Sequence, residues 1–291
     1  MSNHLTQTAT SSVSARLIGL TCFAMVAFAA NSLLCRLALK HTGIDAASFS
    51  VVRLVSGALV LWLICALKRP STPVKGSWLG AAALFIYVFA FSFAYLHLET
   101  GTGALLLFGA VQLTMVLYGV FKGERMRLPA IVGLLSALGG LISLLLPGAT
   151  APDPLSAIIM LVSGLAWGSY SLLGKGVSDP LATTAGNFIR SIPLVLLASL
   201  AFLPGLRWDP LGLLYAVFSG ALASGVGYAI WYSAVRDLAS FQAATVQLSV
   251  PILASLAGII FLSESLTLRL VVASLAVLGG VALVLGSKQQ R

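Results

Sequence analysis

Six ionisable side chains stand where an apolar chain tolerates them least. Arg36, Arg53 and Arg190 fall inside long hydrophobic runs, while Lys175, Glu124 and Glu264 sit at the ends of others. A cation near the centre of a membrane helix costs roughly 2.5–3.5 kcal/mol on insertion scales, so each of these groups needs a reason. Opposite charges on facing segments can pair in one conformation and separate in another. The expected pairs are Arg53 or Arg36 with Glu264, and Arg190 or Lys175 with Glu124. This is gating chemistry, in which contacts are made and broken but no bond is formed. The competing account has the basic side chains reaching headgroups or satisfying carbonyls at helix ends. All eight acids lie in loops or at the ends of runs. A proton relay through a buried carboxylate is therefore not expected, and His97 beside Glu99 reads as a solvated turn.

A second set of residues could hold a solute. Asn31, Gln112, Tyr170 and Gln247 are the polar groups at mid-depth in their runs. An unpartnered amide in hydrocarbon costs several kcal/mol, so each must face another helix or a wet cavity. For the two glutamines both readings stay open. Tyr87, Phe91 and Tyr95 recur every fourth residue and share a helix face; Phe85, Phe89 and Phe93 share another. The tyrosine face is expected to look inward, because hydroxyls prefer wet or bonded sites. With Phe108, Trp167, Tyr228, Trp231 and Tyr232 it would build an aromatic, hydrogen-bonding cavity for apolar or aromatic amino acids, other amphipathic metabolites or planar drugs. A belt at the lipid interface is the rival reading of Tyr95, Trp231 and Tyr232. Pro251 removes a backbone bond inside its run, offering a hinge or a bare carbonyl.

Bond-making chemistry finds no constellation here. There is no HExxH, no GxSxG and no acid pair within a run, so no catalytic residue and no metal site is assigned, and no cofactor is expected. Gly174-Lys175-Gly176 imitates a phosphate loop, but the spacing back to Gly168 is one residue too long and Gly176 replaces the Ser or Thr. Cys22, Cys35 and Cys65 read as small buried hydrophobes. A channel would show charge rings or a filter-like loop, and neither is present.

These residues must be positioned by helices in a membrane. The chain is 59% hydrophobic and 9% charged, with a mean hydropathy of +1.02; soluble domains carry roughly 25% charged residues. Such a chain cannot cover its surface in water. Its net charge of +9 comes from short connections between apolar runs, so the partner is the lipid bilayer and not nucleic acid. Ten runs approach the roughly 20 residues that span a bilayer: 17–39, 46–67, 77–97, 100–121, 128–146, 155–175, 181–203, 211–233, 239–262 and 266–286. The first is read as a retained helix and not a cleaved signal. With the N-terminus inside, the inner connections collect 11 Lys and Arg against 3 outside, which places both termini in the cytoplasm.

The chain also repeats itself at an offset of 140 residues: Glu124 over Glu264, Gly139-Gly140 over Gly279-Gly280, Gly80-Ala81 over Gly220-Ala221. Five spans per unit is odd, so the second unit enters from the opposite side and forms an inverted repeat. The expected organisation is a tail over 1–15, a first unit over 16–147, a linker over 148–154, a second unit over 155–287 and a tail over 288–291. Ser136-x-x-x-Gly140 and Ala276-x-x-x-Gly280 permit close helix approach, within a monomer or in a weak homodimer.

Several stretches resemble the drug/metabolite transporter superfamily, in its ten-span EamA-type branch. They are Ala27-Phe28-Ala29-Ala30-Asn31-Ser32 with its counterpart Gly164 to Tyr170, Arg53 and Arg190 in the second span of each half, and Pro251 ahead of Phe261-Leu262-Ser263-Glu264 with Gly279-Gly280 beyond. Ala29-Ala30 stands where Trp-Gly is usual. The resemblance implies an all-α integral protein of the plasma (bacterial inner) membrane, with no nucleotide hydrolysis. It also implies carriage of a small organic solute, export of amino acids, metabolites or drugs being the expectation and a lipid or lipid-linked-sugar flippase the alternative. A membrane-embedded enzyme is the reading from another class, disfavoured by the missing constellation.

Overall fold

A computed structural model describes residues 15–68, 75–123, 126–235, 238 and 240–289, and it is helical with no strand among them. In hydrocarbon a backbone group has no water to bond, so an apolar run folds as a helix that satisfies itself. The first five spans are α1 (Ala15–His41), α2 (Ala46–Lys68), α3 (Trp78–Ala94), α4 (Thr100–Phe121) and α5 (Leu128–Leu145). The sixth and seventh are α6 (Pro154–Leu173) and α7 (Pro180–Ser199). The eighth runs from α8 (Pro210–Val217) through a π-helical segment (Phe218–Val226) into α9 (Gly227–Val235). The ninth is α10 (Ser240–Gln247) followed by α11 (Ser249–Leu262), and the tenth is α12 (Leu268–Gln289). Among the described residues nine helices are long and apolar enough to cross a membrane, and α3 is a shorter tenth of 17 residues. The protein is an all-α integral membrane protein.

Helix starts follow local chemistry. Asp153-Pro154, Asp179-Pro180 and Asp209-Pro210 each place an aspartate whose carboxylate accepts from the N–H of Ser156, Ala182 or Gly212. The proline that follows fills a position whose N–H would go unbonded. Two expected spans are internally irregular. Small residues at Ser219, Gly220, Ser224 and Gly225 allow the wider π turn of the eighth span, where Gly220 packs on the Arg53 carbonyl. The ninth breaks at Leu248, three residues before Pro251, which has no N–H to continue the ladder.

Packing orders the spans around a common centre. The α1 helix lies against the eighth and ninth spans, as α6 lies against α3 and α4. The pairs α2 with α7, α4 with α11, and α5 with α12 complete the bundle. Exchanging the first five spans for the last five leaves this set of contacts unchanged. The α5–α12 contact uses the small residues noted above: Ser136 donates to the Ala276 carbonyl at 3.0 Å, and Gly133, Gly140 and Gly280 bring the backbones together. That approach is therefore made within one chain. The exterior is apolar, with Leu59, Leu67, Phe121, Leu135, Leu197 and Leu275 all exposed, a surface suited to lipid. Cys35 and Cys65 are buried, but Cys22 is exposed, because it lies on the outer face of α1.

Candidate functional site

One end of the bundle is tied by a charge pair. Ser263 adopts a left-handed conformation (φ 53°) that turns the chain out of α11 and brings the Glu264 N–H to the Gly258 carbonyl at 3.2 Å. The carboxylate then accepts from the Thr100 N–H at 2.8 Å and from its hydroxyl at 3.2 Å, capping α4 from another part of the chain. Arg36 stands beside it, Nε to Oε1 3.6 Å, while its Nη1 donates to the Tyr95 and Leu96 carbonyls at 2.9 and 2.8 Å. Gly258 has no room for a Cβ, which would meet the Glu264 carboxylate. Burial first, and then the Glu264 charge, push the Glu99 carboxyl up, against the opposing pull of Arg36 and Lys40. At the same end the Arg207 N–H donates to Asp45 at 2.7 Å. Partial burial opposes the charge of Asp45, yet the N–H groups of Arg207, Ser48 and Ala47 hold its carboxyl low.

The expected partner of Glu264 is thus Arg36, and Arg53 is the correction. Arg53 is 1% exposed and makes no ion pair among the described residues. Its Nη2 donates to the Tyr87 hydroxyl at 3.0 Å, and its guanidinium carbon lies 4.7 Å from the Phe91 ring centre and 5.4 Å from that of Tyr87. Arg190 is half-buried and donates to the Gly186 carbonyl of its own helix at 3.2 Å. Lys175 is exposed. Glu124, the expected partner of both, lies outside the described residues.

The opposite end is tied by neutral groups. The Ser77 N–H donates to Asn187 Oδ1 at 2.7 Å, joining the start of α3 to α7. Thr184 accepts from the Tyr170 hydroxyl at 3.1 Å and shares a 2.9 Å hydrogen bond with Tyr232. Asn187 and Thr184 were not among the sequence candidates; an amide inside the seventh apolar run was the available signal.

Between these ends lies a cavity lined by Phe28, Asn31, Ser32, Tyr87, Phe91, Leu107, Phe108, Trp167, Tyr228 and Gln247. Its free volume is ≈ 20 Å³, about one water's worth. The first, third, fourth, sixth, eighth and ninth spans all contribute to it. The tyrosine face of α3 is the buried one, while Phe85, Phe89 and Phe93 are half-exposed and the latter two pack on Phe202. Trp167 stacks on Tyr170 at 5.3 Å and on Tyr228 at 5.4 Å, with Tyr87 at 4.7 Å. Phe28, one turn before Asn31 and Ser32 on α1, was legible from that spacing but not singled out.

Six candidates stand off the cavity: Tyr95, whose hydroxyl donates to the Thr100 carbonyl at 3.2 Å, Tyr232, which belongs to the neutral tie through Thr184, and four more. Tyr170 belongs to the neutral tie, and Trp231 packs edge-on to Phe28 behind the wall, 6.0 Å between centres. Pro251 is buried in α11 beyond the break. Gln112 is buried one turn from Phe108, with its Nε2 unpartnered. Asn31 Oδ1 accepts from Ser219 at 2.7 Å and Ser224 at 3.3 Å, so the π-helical segment is pinned to α1 and the amide N–H groups are left over. Asn31→Leu strands two buried hydroxyls and should cost about 1–3 kcal/mol, read as a lower thermal midpoint of the detergent-solubilised protein. An unchanged midpoint would remove this role.

Comparison with known proteins adds four likenesses. The model of the EamA-like transporter family matches residues 154–286. An uncharacterized protein of Pseudomonas aeruginosa is 58% identical over 277 residues, 95% of this chain and 96% of that one. A protein named uncharacterized transporter from Archaeoglobus fulgidus is 29% identical over 58% of this chain and 62% of its own. Among solved structures, a crystal structure superposes with a TM-score of 0.65 at 19% identity, over 91% of this chain and 95% of that chain, which is a likeness of fold.

Proposed function

Since the chain belongs to the EamA-like transporter family and is a membrane transporter, we propose that it exports a small organic solute by alternating access. It does so as a secondary transporter, with amino acids of apolar or aromatic side chain, related metabolites or planar drugs as cargo. The observation that carries this reading is the aromatic cavity at the meeting of six spans, tied on one side by Arg36, Glu264 and Thr100 and on the other by Asn187 with Ser77. At ≈ 20 Å³ the cavity is contracted, too small for any such solute, so one tie must release before loading. The contact set that survives exchange of halves supports two five-helix repeats, over 16–147 and 155–287, threaded in opposite senses. The bias of Lys and Arg supports both termini in the cytoplasm of a cell whose inner membrane holds the protein. In that frame the charged tie faces out and the neutral one faces in.

The test is counterflow of labelled amino acids and amphipathic metabolites into proteoliposomes holding the purified protein. At least one solute should accumulate transiently above protein-free vesicles, and quench Trp167 fluorescence when it binds. If no solute moves in either direction, under any imposed gradient, solute carriage is wrong.

A further inference from the structure

Arg53 is a fixed cation buried beside the cavity with its donors only partly used. Arginine cannot shed its proton in a protein, so the charge persists in the membrane interior. Its Nε and Nη1 have no acceptor, and no acid among the described residues pairs with it. What holds it is the Tyr87 hydroxyl and the faces of Tyr87 and Phe91. Those two rings are themselves cavity wall. The Tyr87 oxygen accepts from Arg53, so its own O–H remains to donate, polarised by the guanidinium behind it. Asn31, whose carbonyl is occupied by two serines, adds amide donors to the same wall. Among the described residues no carboxylate lines the cavity.

We propose that the transported solute is an organic anion, a carboxylate on an apolar or aromatic body, held by Tyr87 and the Arg53 charge behind it. This rests on the solute-carrier reading above and narrows its cargo from amino acids, metabolites and drugs to the anionic metabolites among them. The aromatic walls alone would welcome an ammonium ion through cation–π attraction. Arg53 decides against it, because it already occupies two ring faces and repels a second cation at short range. The body of the solute packs on Trp167 and Tyr228, and its carboxylate points to α3. A monoanion moved without a counter-ion is electrogenic, and 100 mV, negative inside, favours its exit about fiftyfold.

The test uses two matched series with the intact protein in liposomes: 3-phenylpropionate, phenylalanine and phenethylamine, then 4-methylpentanoate, leucine and 3-methylbutylamine. Within each series the body is kept nearly constant while the charge runs from anion through zwitterion to cation. By tryptophan quenching the anion should bind at least tenfold tighter than the amine in at least one series. Arg53→Met should erase that preference, and Tyr87→Phe should reduce it severalfold at unchanged monodispersity. Efflux of the anion should quicken when a negative-inside potential is imposed by potassium and valinomycin. If Arg53→Met does not fold, the wild-type charge series and Tyr87→Phe decide the question. Amines binding as well as anions, no binding by either anion, or a preference indifferent to Tyr87→Phe would each overturn the anion assignment. Counterflow of some other solute would then leave the carrier reading standing; a protein that moves nothing loses both.

Discussion

Glu264→Ala is expected to open the charged end of the bundle and cut counterflow by about a hundredfold. The carboxylate satisfies the Thr100 N–H and hydroxyl and stands beside Arg36, with side chains 6% and 11% exposed. Removing one partner of a buried pair costs roughly 3–5 kcal/mol, since the other charge stays buried. The separation of 3.6 Å and the second outlet of Arg36 through the Tyr95 and Leu96 carbonyls put this pair at the low end. About 3 kcal/mol still shifts a two-state equilibrium more than hundredfold. Thr102→Cys, at a buried position in the first turn of α4, in a background lacking the three native cysteines, should react faster with a membrane-impermeant maleimide once Glu264 is gone. Glu264→Gln keeps acceptors for Thr100 and should fall between. The partner assignment has its own check. Arg53→Glu combined with Glu264→Arg should give no rescue, because Arg53 lies with Tyr87 and Phe91 and not with Glu264. Rescue of transport by that double exchange, or unaltered labelling in Glu264→Ala, would refute the tie as drawn.

Gly280→Leu should prevent recovery of folded protein, whereas Gly279→Leu next to it should be nearly silent. A Cβ on Gly280 would press into the Gly133 carbonyl and the Ala137 backbone nitrogen. Backbone atoms cannot swing aside as a side chain does, so α5 and α12 would have to part. Overpacking typically costs about 1–3 kcal/mol; a clash with two backbone atoms belongs at or beyond the top of that range. A Cβ on Gly279 meets nothing within 4 Å and would face outward. Fluorescence-detected size exclusion after mild heating separates the two outcomes. Equal stability of both variants would mean that α5 and α12 do not pack through this face.

The ten spans, the inward tyrosine face and the contribution of Asn31, Trp167 and Gln247 to one cavity were legible in the chain. Depth could be counted in residues from the end of each run, and helix faces follow from a period of 3.6. Depth placed Arg53 and Arg36 alike as partners of Glu264. It could not choose between them, since the choice depends on how α1 and α2 are rotated about their axes. The same limit applies to Gln112, which lies at the right level but is not part of the cavity lining, and to Trp231, which packs on Phe28 without lining it. The π-helical segment left a trace only as small residues, and small residues occur in ordinary membrane helices as well.

Composition and spacing were enough to establish that this protein lives in a bilayer as a bundle of about ten helices, because hydrocarbon forces each backbone to bond within its own segment. No tertiary partner competes with that demand, so local composition suffices. Which cation meets Glu264, which is left among aromatic rings, and which amides face the cavity emerged only once the helices were packed. Those outcomes depend on the lateral order and rotation of helices far apart in the chain, set by glycine contacts and side-chain packing that hydropathy does not record.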